Sequence, residues 1–159
     1  MKNTYIYIGV SIILALIGFI TGPQFIKISI QQLDLNNVDI VWRTMRGQFL
    51  QNFIFSIAIG LLPFLHLIST KLSKADSMVK KYVSIGVILI IGIVCWQLRI
   101  FQLNTIFDSY NQFESSEDIT NQYSAEDLKL GYYLIYGFII GFLMNTIVLR
   151  MVNRRSTDY

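Results

Sequence analysis

The sequence has very few of the residues that carry out enzyme chemistry. Cys95 is the only cysteine and His66 the only histidine among 159 residues. A single cysteine cannot form an intramolecular disulfide, which excludes the paired-cysteine chemistry of membrane dithiol oxidoreductases. A single histidine excludes bis-histidine haem ligation within the chain and a histidine-rich metal site. We therefore expect no metal and no other cofactor.

Charged residues are also scarce, and the acidic ones avoid the apolar parts of the chain. Lys, Arg, Asp and Glu together make up 14% of the residues, against roughly 25% in a soluble domain. Every Asp and Glu maps to a link or a tail, so the membrane-embedded acid that proton-driven transporters use is missing. There is no glycine-rich phosphate loop and no serine–histidine pair at motif spacing. This pattern favours a protein that is not an enzyme.

The sequence contains four long apolar blocks, and 53% of its residues are hydrophobic. Each block is close to the roughly 20 residues that cross a bilayer as a helix. The blocks leave no room for a soluble domain. The predicted fold is therefore all-α: one domain, residues 1–159, with four transmembrane helices in a compact antiparallel bundle. The predicted spans are residues 5–22, 48–68, 82–101 and 131–150.

The first block could also be read as a signal peptide, because Lys2 precedes an apolar run. Cleavage sites of such peptides carry small residues in a small-x-small pattern. The first block instead ends in FITGPQF, which has no such pattern. We therefore expect this block to remain as the first transmembrane helix.

The charges of the links predict the orientation of the helices. The link between blocks two and three and the C-terminal tail are basic, and the link between blocks three and four is acidic. Cytoplasmic loops of membrane proteins collect Lys and Arg. Both termini and the second link should therefore be cytoplasmic, and the first and third links extracytoplasmic, in a multi-pass protein of the cell (inner) membrane. The net charge of +3 is thus a topology signal, and no nucleic-acid partner is expected.

Local signals refine the ends of the first two helices. Gly22-Pro23 should break or kink helix one. The following FIKISIQ, residues 25–31, alternates polar and apolar side chains like a strand, but a kinked helical extension fits almost as well. Helix two is expected to begin near Asp39, and Pro63 should kink it.

Local signals also shape the third link. Helix three, starting after Lys80-Lys81, keeps helical spacing of apolar residues beyond Asn104. Residues 115–123 are expected to form an exposed acidic loop. Ser124 followed by Asp127 resembles a capping box, so helix four should begin near Ala125.

Each apolar block carries a stripe of small and polar residues at three- and four-residue spacing. Such residues share one helix face, and small residues let membrane helices approach closely. We expect the four stripes to face each other inside the bundle. They are Ser11, Ala15, Gly18 and Gly22; Asn52, Ser56 and Gly60; Gly92, Cys95, Arg99 and Gln102; and Gly137, Gly141 and Asn145.

Arg99 lies roughly 27 Å along helix three from Lys81, close to the outer boundary of a hydrocarbon core about 30 Å thick. It could simply extend its charged head to water there. Alternatively, it joins other polar residues of the same level in a cationic pocket that binds a lipid headgroup, a carboxylate or the acidic third link. The candidate ligand- or partner-binding residues are Arg43, Arg46, Gln48, Asn52, Gln97, Arg99 and Gln102.

A second polar level is predicted near the inner end of the bundle. His66 and Asn145 should lie at similar depth on helices two and four, and could form a polar pair. His66 is then either an interface residue or a group that couples to proton movement. No metal-binding set accompanies it.

Three functions are compatible with these features. The first is a non-enzymatic subunit or partner-binding component of a membrane complex. The alternatives are a small oligomeric channel or transporter with an outer cationic vestibule, and a lipid-handling enzyme. Expected partners are membrane lipids and either other membrane-protein subunits or further copies of the chain. A continuous polar path between the two polar levels would favour transport, whereas packed Ile and Phe between them would favour the first hypothesis.

The topology can be tested by cysteine labelling in intact cells, after Cys95→Ser. An impermeant maleimide should modify Ser116→Cys but not Ser73→Cys, because the positive-inside rule places residue 73 in the cytoplasm. Labelling after permeabilisation serves as the control for reactivity. The opposite pattern would reverse the assigned orientation.

Overall fold

The computed structural model describes residues 2–35, 38–72, 77–113 and 121–155, and is dominated by four long helices. Each helix is long and apolar enough to cross a membrane, as the sequence predicts. The helices are α1 Lys2–Ile30, α2 Met45–Leu72, α3 Met78–Phe113 and α4 Leu130–Arg155. Two short strands, β1 Val38–Val41 and β2 Asn121–Ser124, and a 3-10 helix, Ala125–Leu128, complete the described fold.

The helices extend further than the predicted spans at several ends. α1 continues through Pro23 to Ile30, so residues 25–31 are not a strand but largely the helical extension. α3 begins at Met78, before the two lysines, and continues to Phe113, as the apolar spacing beyond Asn104 predicts. Pro63 lies inside α2 as expected.

The predicted start of α2 near Asp39 is wrong, because those residues belong to a strand. β1 pairs in parallel with β2, with Val38 opposite Asn121 and Val41 opposite Ser124. The expected loop over residues 115–123 is therefore wrong for its last three residues, while residues 115–120 lie outside the described residues. The sheet ties the first link to the third link.

Two ends of the molecule can now be named. The sheet end carries β1, β2 and the 3-10 helix. The basic end lies at the opposite ends of the helices and carries Lys71, Lys80, Lys81 and Arg150. There Lys71 Nζ donates to Thr4 Oγ1 at 3.4 Å, and Arg150 Nε donates to the Leu72 carbonyl at 3.4 Å.

The helices α1 and α2 pack closely through their stripes of small residues. A Cβ added to Gly18 would lie 3.0 Å from Ser56 Cα, and one added to Gly60 would lie 2.8 Å from Ala15 Cβ. Gly22 contacts Asn52 in the same way. Since residue numbers rise along one helix as they fall along the other, the pair is antiparallel. The stripes of α1 and α2 therefore lie at a helix interface as expected, but they face each other as a pair instead of meeting all four stripes together.

The helices α3 and α4 form a second antiparallel pair. Gly137 faces Gly92 and Cys95, and Gly141 faces Ile88. At Gly137 the backbones approach so closely that an added Cβ would lie 2.6 Å from Gly92 Cα. Small residues permit this approach, as they do between membrane helices. The last member of the α3 stripe, Gln102, is exposed instead and lies outside the interface.

The two pairs join because α2 packs against α4 through an apolar core. Ala58 and Ile88 are fully buried there, beside Phe55, Leu62 and Phe138. α2 is therefore the most buried helix, whereas α1 leaves most of its bulky side chains exposed. Within the described residues, α1 and α3 contact each other chiefly near the sheet end, where Trp96 meets Phe25 and Ser29.

The close contact at Gly137 predicts a sharp effect of adding one methyl group. Gly137→Ala should lower the free energy of unfolding by about 1–3 kcal/mol, the usual cost of overpacking. Gly86→Ala is the matched control, because nothing lies within 4 Å of its added Cβ. Thermal unfolding of purified protein in detergent would measure both. Equal stability of the two variants would contradict the helix interface described here.

Candidate functional site

Arg99 is held by the third link. Its Nε donates to the Leu128 carbonyl at 2.9 Å, and its Nη2 donates to the Asp127 carbonyl at 3.0 Å. The guanidinium carbon also lies 5.0 Å from the ring centre of Tyr133. Of the alternatives for Arg99, the structure has the one in which it contacts the third link. Its acceptors there are main-chain oxygens rather than carboxylates.

The geometry explains why an arginine suits this position. Asp127 and Leu128 end the 3-10 helix, where carbonyl oxygens have no partner within the helix. A cation is favourable at such an end, and the planar fork of arginine serves two acceptors at once. Lys129, next in the chain, has a positive φ of 53° and turns the backbone into α4.

Glu126 attaches the 3-10 helix to the start of α2. Thr44 Oγ1 donates to the Glu126 carboxylate at 2.8 Å and accepts from the Gly47 amide at 2.9 Å, so Thr44 caps α2. The carboxylate lies against Gly47, where the positive end of the helix dipole favours an anion. Buried Gln51 donates through Nε2 to the Glu126 carbonyl at 3.0 Å.

The predicted cap at Ser124 is present but begins a different element. Ser124 Oγ accepts from the Glu126 amide at 3.3 Å, which starts the 3-10 helix. α4 itself begins at Leu130, so its predicted start near Ala125 is wrong. The chain must turn at Lys129 before the long helix can form.

Polar residues of α3 hold the first link. Asn104 Oδ1 accepts from the Asp34 amide at 2.9 Å, and its Nδ2 donates to the Gln32 carbonyl at 3.3 Å. Gln97 Nε2 donates to Gln32 Oε1 at 3.1 Å. These bonds satisfy backbone groups where α1 has ended. We call the described parts of the two links, residues 31–35, 38–44 and 121–129, with the hydrogen bonds that hold them, the cap.

The seven candidate binding residues are thus distributed over separate places. Gln48 and Asn52 line a pocket of about 250 Å³ with Pro23, and Asn52 Oδ1 is buried there without a hydrogen-bond partner. Arg43 lies 4.0 Å from Asp127 in an exposed ion pair, a kind that contributes little to stability. The remaining members are Gln97 on Gln32, Arg99 on the 3-10 helix, and exposed Arg46 and Gln102. Whether any of the seven binds a ligand or partner stays a prediction.

A buried polar cluster joins three helices toward the basic end. Asn145 Nδ2 donates to Ser69 Oγ and Ser84 Oγ, both at 2.6 Å, and Ser69 Oγ lies 3.2 Å from Thr146 Oγ1. Both serines are fully buried. The sequence interpretation named Asn145 but missed the other three members of the cluster, Ser69, Ser84 and Thr146. Their shared depth on apolar helices was the available signal.

Among the described residues, His66 is not bonded to this cluster, although it lies one turn before Ser69 on α2. Within the described part of the chain no hydrogen bond joins it to Asn145, and its Nδ1 is buried without a partner. The ring centre lies 6.1 Å from that of Tyr7. His66 lines a groove of about 430 Å³ between α1, α2 and α3.

An apolar layer lies between the polar residues of the two ends. It contains Phe55, Leu62, Ile88 and Phe138, which pack against one another. Buried Ser56 lies at the same depth of α2 and donates to the Ala15 carbonyl at 2.6 Å. Among the described residues no group of three or more His, Cys, Asp or Glu side chains could hold a metal ion. Comparisons of the chain with protein-family models, curated proteins and solved structures find no match. Function must therefore be inferred from this geometry.

Arg99 should be important for the stability of the cap. Arg99→Ala leaves two carbonyls without their donor and should lower the free energy of unfolding by about 1–3 kcal/mol. Arg99→Lys, which retains the charge but lacks the fork, should cost less. Exposed Arg46→Ala is the control. Hydrogen exchange of residues 121–130 should accelerate in Arg99→Ala, and unchanged exchange would contradict this role.

Proposed function

We propose that the protein is a non-enzymatic, multi-pass membrane protein that serves as a partner-binding subunit of a membrane complex. In this proposal the cap lies outside the cytoplasm and the basic end inside it. The observation that carries the proposal is that polar side chains at the sheet end form hydrogen bonds with the two links. These side chains are Arg99, Gln97 and Gln51. This arrangement favours a cap held in one shape.

The start of α2, which adjoins the cap, exposes residues that favour a site for another protein. Met45 is 91% exposed at the start of α2, next to exposed Arg46 and close in sequence to exposed Arg43. Met and Arg are enriched at protein interfaces, and an ordered surface loses less conformational entropy when it binds. These features support a protein partner at the cap.

Transport by a single copy of the chain is supported less well. A solute or proton would have to cross the apolar layer between Asn52 at one level and His66 or Asn145 at the other. The centre of that layer, which includes Phe55 and Phe138, is apolar, and the hydroxyl of Ser56 at the same depth is bonded to the Ala15 carbonyl. A lipid-handling enzyme is also less well supported, since the candidate polar residues do not converge on one reaction centre.

The proposal can be tested by cross-linking in native membranes followed by affinity purification of the tagged chain. A stoichiometric protein partner should be recovered, and Arg46→Glu should reduce its yield severalfold because it reverses a charge beside Met45. Gln102→Glu is the control, since Gln102 is exposed on a different helix. Recovery of no stoichiometric protein, or equal loss with both variants, would contradict a partner site at the cap.

A further inference from the structure

The groove that contains His66 opens where the two helix pairs separate. α1 and α3 meet at the sheet end, where Trp96 Nε1 donates to Ser29 Oγ at 3.1 Å. Toward the basic end they line opposite sides of the groove, with α2 at its base. Its volume is about 430 Å³, and its walls are mainly apolar. An opening between two helices at this depth would face the acyl chains of a bilayer.

His66 is a polar residue in the lining of this apolar groove. The side chain is only 7% exposed, and its Nδ1 has no hydrogen-bond partner. Burying a polar atom without a partner is unfavourable. A neutral imidazole carries one donor and one acceptor nitrogen, so it can bond either an ester carbonyl or a hydroxyl. The groove is therefore suited to a molecule that is apolar but carries such a group.

Lys81 gives the groove a positive charge at its mouth. It is half-buried and lines the groove together with Tyr82 and Met78. Lys71 and Arg150 lie at the same end of the bundle, which makes the surroundings positive. A lysine ammonium binds phosphate well, as a point charge. The cation thus selects for an anionic group at the level where the helices end.

We propose that the groove binds one anionic phospholipid, with its phosphate at Lys81 and its glycerol-ester region at His66. His66 lies six residues before the end of α2 at Leu72, or about 9 Å deeper along the helix axis. This depth suits an ester below a phosphate at the helix ends. One acyl chain then lies along Val10, Leu62 and Ile85. The inference is independent of the partner proposed for the cap.

The probes are three lipids with the same acyl chains: dioleoylphosphatidylglycerol, dioleoylphosphatidylcholine and dioleoylglycerol. The full chain is purified, stripped of lipid by detergent exchange and titrated with each probe under native mass spectrometry. The phosphatidylglycerol adduct should form at about tenfold lower lipid concentration than the other two, because only this probe carries a net negative charge. Equal uptake of all three lipids would overturn the proposal.

Two variants locate the lipid within the groove. Lys81→Gln should remove the preference for phosphatidylglycerol, whereas Lys71→Gln should retain it, because Lys71 contacts Thr4 and does not line the groove. Val10→Trp fills the groove from a position that is 41% exposed, and should reduce binding of all three lipids. Circular dichroism would establish that each variant is folded. A folded Val10→Trp variant that binds normally, or equal effects of the two lysine changes, would overturn the assigned site.

A further variant tests whether His66 contacts the lipid. His66→Phe retains an aromatic ring of similar size but removes both nitrogens. It should weaken phosphatidylglycerol binding severalfold while leaving the preference over phosphatidylcholine intact, because Lys81 still supplies the charge. Binding equal to that of the unchanged protein would show that His66 does not contact the lipid.

Discussion

The close approach of helix backbones at small residues is the constraint on which the rest of this structure depends. At Gly137 and Gly92 the backbones of α3 and α4 leave no room for a methyl group, and Gly18 and Gly60 play the same part between α1 and α2. These contacts fix two antiparallel pairs. Once the pairs are fixed, α2 and α4 can bury their bulky residues against each other. The links are then brought together at one end, where the strands can pair.

The hydrogen bonds of the cap supply partners for backbone groups at the ends of the helices. Several helices begin or end near the sheet, and each end leaves backbone groups without partners. Thr44 and Glu126 are hydrogen-bonded to each other at the start of α2. Arg99 donates to a carbonyl at the end of the 3-10 helix, and Asn104 accepts from a backbone amide after α1. One set of polar residues therefore satisfies the backbone and also joins the first link to the third.

The parts of this fold that depend on local pattern were predictable from the sequence. The apolar blocks and small-residue stripes indicated the four helices and their two interfaces. β1 and β2 were missed because each has four residues and its partner lies about 80 residues away, between Val38 and Asn121. The acceptors of Arg99 are main-chain oxygens, which a sequence does not display. Ser69 and Ser84 were missed as partners of Asn145, because the one signal that indicates them is the depth in the bundle that they share with Asn145.

The buried polar groups at the two ends of the bundle differ in their hydrogen-bond partners. At the sheet end, Arg99 and Gln51 reach carbonyl oxygens of the chain itself, but Asn52 Oδ1 is buried without a partner. Toward the basic end, Asn145 is satisfied by two serines, but His66 Nδ1 in the neighbouring groove is not. A buried polar atom without a partner is stabilised by a ligand that supplies one. Both atoms belong to residues that line a cavity, and the groove between α1 and α3 is the larger, about 430 Å³ against about 250 Å³ beside Asn52, so a small ligand is favoured in the groove.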